Sequence, residues 1–474
     1  MFENVLGQGA TGQLIDDIRA NTLSRAMLFS GPPASGKGTA ALELGRVVSC
    51  ENVAVGNGEA LGRWNCACPA CARHRLLIHP DLLCMGRKNF PAEIAASAAA
   101  FLREAALPDT LTPTKLATSS PCRLLFIRSV RKLLLRFNPV LWEDDPKAGK
   151  IASLVNSLEE GLDELSSFTV ANEAGDTEKL VEGIKKDTVK LESEGMGETI
   201  PIAQLRRAAW WCRLAPSGRE KLLVIENADR MQEEGRNSLL KLLEEPSARL
   251  SIVLTSARPG SLLPTILSRL RPYRFSARGA EVEADVIKRV FRDKELGARD
   301  QGIGTSATPS IATYLDSFLP VSATTLQALA SYFAASVAYK AAMLAKQGDR
   351  PLPGEVVLLG KHSAPRAEAA GFGRPKEDSG PVIALILEKA ARFEVRSLFS
   401  RFLCFLLEQV SESQRQSLPQ SPPPSSFLLP HSSFFEIWAA CCGWAESAVG
   451  TYNLRSAPVL EKLFTDLSRG MAEL

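Results

Sequence analysis

The residues Gly31-Pro32-Pro33-Ala34-Ser35-Gly36-Lys37-Gly38 have the spacing of a phosphate-binding loop. In such a loop, backbone N–H groups and a helix N-terminus cradle phosphates while a lysine meets their charge. Lys37 stands where that lysine is needed. The next position ordinarily gives a serine or threonine hydroxyl to Mg²⁺, and Gly38 has no side chain to give. The loop reads as one that keeps contacts for a nucleotide, ATP or ADP, while holding its metal poorly. A second group is Cys50, Cys66, Cys68 and Cys71, in the pattern C-x15-C-x-C-x2-C. Four soft ligands in a short span suit tetrahedral zinc, in a structural role because every ligand position is filled. The tight Cys66-Ala67-Cys68 step leaves His74 as an alternative ligand.

A G-x4-GK match arises readily by chance in a long chain, so its flanks decide. Ala26-Met27-Leu28-Phe29-Ser30 reads as a short buried strand, and Thr39 to Val48 carries apolar residues at helical spacing. Strand, loop and helix therefore come in the required order. Lys221-Leu222-Leu223-Val224-Ile225 reads as a central strand, Leu250 to Thr255 as the next, and Met231 to Glu245 as a helix between them, stopped by Pro246. This alternation from Ala26 to Phe275 predicts an α/β layer with a parallel sheet.

Residues 84–199 fit that rhythm poorly and are read as an insertion. Within it, Cys122 to Arg136 sets basic and apolar residues at helical spacing. Such a helix either faces DNA or an acidic partner, or packs on its own domain with a solvated basic face. Beyond Phe275 the pattern is helical, with Glu281 to Leu296 and Thr325 to Lys346 the clearest segments. The expected division is a P-loop domain at 1–280 with the zinc module at 50–79, a helical lid at 281–346, a linker at 347–380 and a helical domain at 381–474. Residues 411–430, rich in Ser, Gln and Pro, are expected as a loop excursion within the last.

With 474 residues, 45% hydrophobic and 23% charged, the chain has the composition of a soluble globular protein. A net charge of +3 does not by itself argue for nucleic acid. No window of about 18 uncharged apolar residues is evident, and Met1 to Gly9 does not read as a signal peptide. A cytoplasmic chain with no membrane association is expected. Of the ten cysteines, Cys84, Cys122, Cys212, Cys404, Cys441 and Cys442 show no ligand grouping and read as buried side chains.

Several strings together resemble the bacterial DNA polymerase III clamp-loader subunits, the AAA+ family of gamma/tau and delta-prime. They are Phe2-Glu3-Asn4-Val5-Leu6-Gly7-Gln8, His79-Pro80-Asp81, Asn237-Ser238-Leu239-Leu240-Lys241-Leu242-Leu243-Glu244-Glu245-Pro246 and Leu263-Pro264-Thr265-Ile266-Leu267-Ser268-Arg269. The resemblance covers residues 1–81 and 200–275 well and the rest in outline. It implies an AAA+ P-loop module with a zinc-binding insertion, then a helical lid and a helical collar domain that joins a heteropentamer.

An active ATPase of this kind places Asp then Glu after the strand at 222–225; here stand Glu226 and Asn227. Together with Gly38, this points away from hydrolysis. Val224-Ile225-Glu226-Asn227-Ala228-Asp229-Arg230-Met231 is similar to the delta-prime type. In the family, that type is a largely non-hydrolysing stator that presents the arginine of a Ser-Arg-Cys motif to ATP on its neighbour. Ser268-Arg269-Leu270 keeps the serine and arginine and lacks the cysteine. The resemblance thus assigns Arg269 as an arginine finger in trans and Thr255 to the sensor position. It implies a degenerate nucleotide site at Gly31, Gly36, Lys37, Thr39, Glu226 and Thr255. Glu244 and Glu245 are expected to fix a helix end away from the chemistry.

The implied partners are gamma/tau and delta, with the sliding clamp and primed DNA reached through the complex. On this reading the chain is part of the DNA polymerase III holoenzyme with no polymerase or competent ATPase activity of its own. Two alternatives stay open. One is a gamma/tau-like ATPase in which Thr39 supplies the missing hydroxyl and Glu226 serves for the acidic pair. The other is a zinc-bearing DNA-binding adaptor, for which the basic stretch at 123–136 speaks.

Overall fold

The computed structural model describes residues 1–52, 62–86, 90–105, 120–167, 174–197, 199–231, 233–293, 309–417, 433–450 and 454–474. The chain divides into two compact units, Met1–Phe318 and Leu319–Leu474.

The first unit runs α1 (Gly9–Arg19), β1 (Ala26–Ser30), α2 (Lys37–Val48), α3 (Pro69–Arg75), β2 (Leu82–Met85), α4 (Pro91–Ala105), α5 (Pro121–Leu134) and α6 (Pro139–Trp142). It continues with α7 (Ala148–Ser167), α8 (Ala174–Gly195), α9 (Ile202–Arg213), β3 (Lys221–Ile225), α10 (Glu233–Glu244), β4 (Leu250–Ser256), α11 (Pro264–Leu267), β5 (Arg271–Arg274), α12 (Ala280–Val290) and α13 (Ile311–Asp316). The five strands form one sheet in the order β2-β3-β4-β1-β5, with every pair parallel. This is the expected α/β layer.

The inner strands β1, β3 and β4 are buried at every residue, as a parallel sheet covered on both faces requires. Their side chains alternate between two cores. Ala26, Leu28, Leu223, Ile225, Ile252 and Leu254 face one core, into which α4, α5 and α9 pack. Met27, Phe29, Leu222, Val224 and Val253 face the other, with α1 and α2. The two-residue period of a strand thus divides each apolar run between both sides.

The structure departs from the expected boundaries in several places. Strand β2 pairs with β3 from Leu82↔Leu222 to Met85↔Ile225, so residue 84 lies inside the sheet and the insertion cannot begin there. Helices α4 and α5 also belong to the main core, through Ile94, Phe101, Phe126 and Val130. Strand β5 reads Arg-Pro-Tyr-Arg, which no apolar pattern announces. It tolerates proline and arginine because it is an edge strand with only Tyr273 buried.

The expected lid at 281–346 is divided between the units. Ile287, Phe291, Ile311 and Tyr314 pack into the first unit's core, whereas the next helix belongs to the second unit. That unit contains α14 (Ala323–Gln347), α15 (Gly354–Ala369), α16 (Ser379–Lys389), α17 (Arg396–Ser417), α18 (Ser433–Gly450) and α19 (Ser456–Glu473). The expected linker at 347–380 therefore contains a full helix, α15. Of the expected excursion at 411–430, residues 411–417 close α17 and the remainder lies outside the described residues.

Helix α14 is the axis of the second unit. Phe333 meets Phe402 and Phe464 edge to face, at 5.8 and 5.7 Å between ring centroids. Against expectation, α14 is long and apolar enough by length and composition to cross a membrane. Of its most apolar stretch, 67% is buried within the protein, so its apolar residues have helices to pack against.

Candidate functional site

The C-terminal ends of β1, β3 and β4 bring most of the chemistry-bearing residues together, as open parallel sheets commonly do. After β1 the chain turns at Gly31, whose φ of +150° and close approach to Phe275 exclude a side chain: a Cβ there would lie 2.1 Å from the Phe275 carbonyl oxygen. Gly36, in the left-handed region, caps α2, and Lys37 opens it. The Lys37 ammonium folds onto its own loop, donating to the carbonyls of Gly31 at 2.6 Å and Pro32 at 2.5 Å and to Ser35 Oγ at 3.3 Å. Burial lowers its pKa to about 8, against the opposing pull of Glu226 and Asp229. Arg278 adds a second cation at the loop, with Nη1 donating to Ala34 O at 2.6 Å and Nε to Leu6 O at 2.9 Å.

Gly38 does more than lack a hydroxyl. A Cβ at this position would lie 2.3 Å from Glu226 Oε1, so the carboxylate occupies the space a serine or threonine would need. Glu226 reaches there from the end of β3, and its other oxygen accepts from Arg136 Nη2 in a buried ion pair. Arg136 lies just after α5; its Nη1 donates to Lys132 O at 3.0 Å and its guanidinium lies 5.2 Å from the centroid of the Phe90 ring. A magnesium ion at such a loop needs the hydroxyl and a disposable carboxylate. Gly38 and the Arg136-bound Glu226 do not fit one.

Asn227 adopts a left-handed conformation at φ +52°, and its N–H donates to Thr255 Oγ1 at 3.2 Å. Thr255 is buried and links the ends of β3 and β4. Asp229 accepts from Ser256 Oγ at 2.7 Å and pairs with Arg258. Thr39 lies half-buried on the first turn of α2. The sequence reading gave no place in this site to Arg136, read as part of a basic stretch, to Asp229, read within the delta-prime-like string, or to Arg278, which no motif marks.

Arg269 lies just after α11, where its Nη1 donates to Thr265 O at 2.7 Å and its Nη2 pairs with Glu244 Oε1 at 2.6 Å. Both side chains are partly exposed. Glu244 therefore holds the arginine as well as ending a helix, a role its place in the sequence did not announce.

The four cysteines converge as expected. Their sulfur atoms all lie within 4.8 Å of one another, with Cys50 to Cys66 at 3.7 Å and Cys50 to Cys68 at 3.9 Å. A tetrahedron of thiolates about 2.3 Å from a metal has edges of about 3.8 Å, so this donor set fits zinc. Cys50 ends the connection from α2, and Cys68 caps α3, its sulfur accepting from Cys71 N–H at 3.4 Å. Arg46 Nη1 donates to Cys71 Sγ at 3.2 Å. His74 lies outside the sulfur cluster; its ring stacks on His79 at 4.2 Å and burial pushes its pKa down to about 2.

The basic helix α5 faces inward. Arg123 and Arg131 are buried, as is Arg136 just after the helix, and Arg128 and Arg131 donate to carbonyls of the cysteine segment: Arg128 to His74 and Arg75, Arg131 to Leu76. These guanidinium groups fasten the cysteine segment to the sheet domain.

The fold and site define a P-loop α/β protein in which the metal-binding positions of the loop are altered. The family model for the DNA polymerase III delta subunit matches residues 148–278. The Pseudomonas aeruginosa DNA polymerase III subunit delta' is 31% identical over 128 residues, 27% of this chain and 39% of that protein. The Bacillus subtilis subunit delta' is 45% identical over 56 residues, 12% of this chain and 17% of that protein. Mycobacterium tuberculosis gamma/tau is 30% identical over 89 residues, 19% of this chain and 15% of that protein. A gamma-subunit-related protein of Thermotoga maritima aligns over 62% of this chain and 90% of its own at 17% identity, with a TM-score of 0.23, too low to carry an argument. Over part of its length the chain is thus similar to the delta' and gamma/tau subunits of DNA polymerase III. Its matches span between 15 and 39% of those curated relatives' own lengths.

Proposed function

We propose that this chain is a delta-prime-type clamp-loader subunit, a stator that does not hydrolyse ATP and that lends Arg269 to an ATP site on its neighbour. The observation carrying the first half is the phosphate loop: Glu226 lies against Gly38 and is paired with Arg136, while Asn227 stands where a second carboxylate would orient water. The second half is supported by the place of Arg269, on an exposed turn and held by an ion pair of a kind worth only about 0–1 kcal/mol. A guanidinium held so weakly transfers readily to a phosphate, whose geometry it matches at least as well.

In this reading the first unit is the AAA+ module and the second carries the collar. The four cysteines hold a structural zinc that staples residues 50–79, and Arg46 offsets part of the thiolate charge. The partners are gamma/tau and delta subunits in a cytoplasmic heteropentamer that places the sliding clamp on primed DNA. Mixing the purified chain with gamma/tau and delta from the same organism tests this directly. Co-elution as one complex is expected, and failure to associate would refute the reading.

A gamma/tau-like motor is the second reading, favoured by the retained Lys37 and the gamma/tau likeness. It requires ATP hydrolysis by the isolated chain that Lys37→Ala abolishes. The DNA-adaptor reading loses its support, because the arginines of α5 are bonded into the protein.

A further inference from the structure

We infer that Arg136 is a built-in cation for the phosphate loop: its guanidinium takes the place of the divalent metal, so that the loop has no metal site and meets any phosphate-bearing ligand metal-free. The inference concerns the chain alone and does not depend on its assembly with other subunits.

Three residues from distant parts of the sequence are fitted to one another. Gly38 leaves the space, Glu226 fills it with Oε1, and Arg136 neutralises the same carboxylate through Oε2. The extra methylene of glutamate over aspartate gives the carboxylate its reach toward both. The small cavity beneath the loop is lined by eight residues, among them Gly38, Phe90, Lys132, Arg136 and Glu226. Lys132 is paired with Glu93 and Arg136 with Glu226, so the carboxylate that reaches Gly38 already has its cation in Arg136.

Arg136 is held firmly. Its backbone carbonyl accepts from Trp142 Nε1 at 2.8 Å, its Nη1 binds Lys132 O, and Phe90 lies against its guanidinium. A buried ion pair with both partners fixed is broken only at a large cost, because either charge left alone is uncompensated. A metal ion entering here would have to displace the guanidinium and leave it buried beside a second positive charge. Removing Arg136 would instead leave the buried Glu226 carboxylate without its guanidinium, an arrangement that recruits a cation. The residues between β2 and β3 thereby supply both a helix layer and the ion that completes the loop.

The test uses the full chain without partners, manganese(II) as a paramagnetic probe of the metal position, and ADP as the phosphate-bearing ligand. The wild-type chain is expected to bind no manganese in an ADP-dependent manner. Its response to ADP, whether binding or none, should agree within twofold between magnesium and EDTA. Arg136→Met is expected to gain a manganese site at least tenfold tighter than any in the wild type, and the double change Arg136→Met with Glu226→Gln to lose it again. The double variant removes both buried charges together and so controls for folding, which thermal melts report. ADP-dependent manganese binding by the wild type overturns the inference, as does a folded Arg136→Met that binds no more manganese than the wild type. If Arg136→Met does not fold, the wild-type comparison of magnesium with EDTA decides: tenfold tighter ADP binding with magnesium overturns the inference, and equal affinity supports it.

Discussion

Gly38→Thr is the obvious repair of the phosphate loop, and the structure predicts that it fails. Threonine would bring its Cβ against Glu226 Oε1, and moving that carboxylate means parting it from Arg136 in a buried site. The expected outcome is a loss of about 1–3 kcal/mol in stability, measured by denaturant unfolding, with no gain in ATP hydrolysis. Lys37 makes a prediction of a different kind. Its folded pKa is lowered to about 8 from an ordinary value of 10.5, so between these values the unfolded chain holds more protons than the folded one. Stability from this group therefore rises as pH goes from 8 toward 10.5, and its burial costs most below pH 8. Comparing unfolding of the wild type with Lys37→Met across pH 7 to 10 should show the wild type gaining relative to the variant as pH rises. At this scale the sequence displayed the gap at Gly38 and the substitution at Asn227. It could not display what holds Glu226 in that gap, because Arg136 reaches Glu226 across 90 positions of chain.

Among the elements, α5 shows how a basic stretch can mislead. Its spacing told of a helix with arginines, and the direction in which those arginines point is set by the cysteine segment packed above it. Arg128 donates to the carbonyls of His74 and Arg75 and stands 5.3 Å from the centroid of the Trp64 ring. Arg128→Met is expected to lower stability by about 1–3 kcal/mol and to leave affinity for DNA unchanged. A loss of DNA affinity without a loss of stability would restore the nucleic-acid reading of this helix. The cysteine segment predicts one zinc per chain, read by native mass spectrometry, and none in Cys71→Ser. Removing the metal with a chelator should lower the melting temperature, since binding energy at a structural site is also folding energy. Strands β1, β3 and β4 were legible because each is an apolar run buried on both faces. Strands β2 and β5 were not, being four-residue edges, one of them half arginine.

Across the whole molecule, the sequence read the parallel sheet and the cysteine cluster more clearly than the division into units. Helical periodicity alone does not say which core a helix joins. Ile287 and Tyr314 join the sheet domain, whereas α14, apolar on nearly every side, becomes the centre of the other unit. The account of this protein as a stator has two parts, an altered phosphate loop and an arginine that acts next door, and one assay addresses both. It is steady-state ATP hydrolysis by the complex reconstituted with gamma/tau and delta, comparing this chain as wild type, Arg269→Ala and Lys37→Ala. The stator account predicts that all three assemble. Arg269→Ala should slow hydrolysis at the adjacent site by roughly 10³-fold, while Lys37→Ala leaves the rate unchanged. A complex indifferent to Arg269→Ala and disabled by Lys37→Ala would refute it and make this chain a motor.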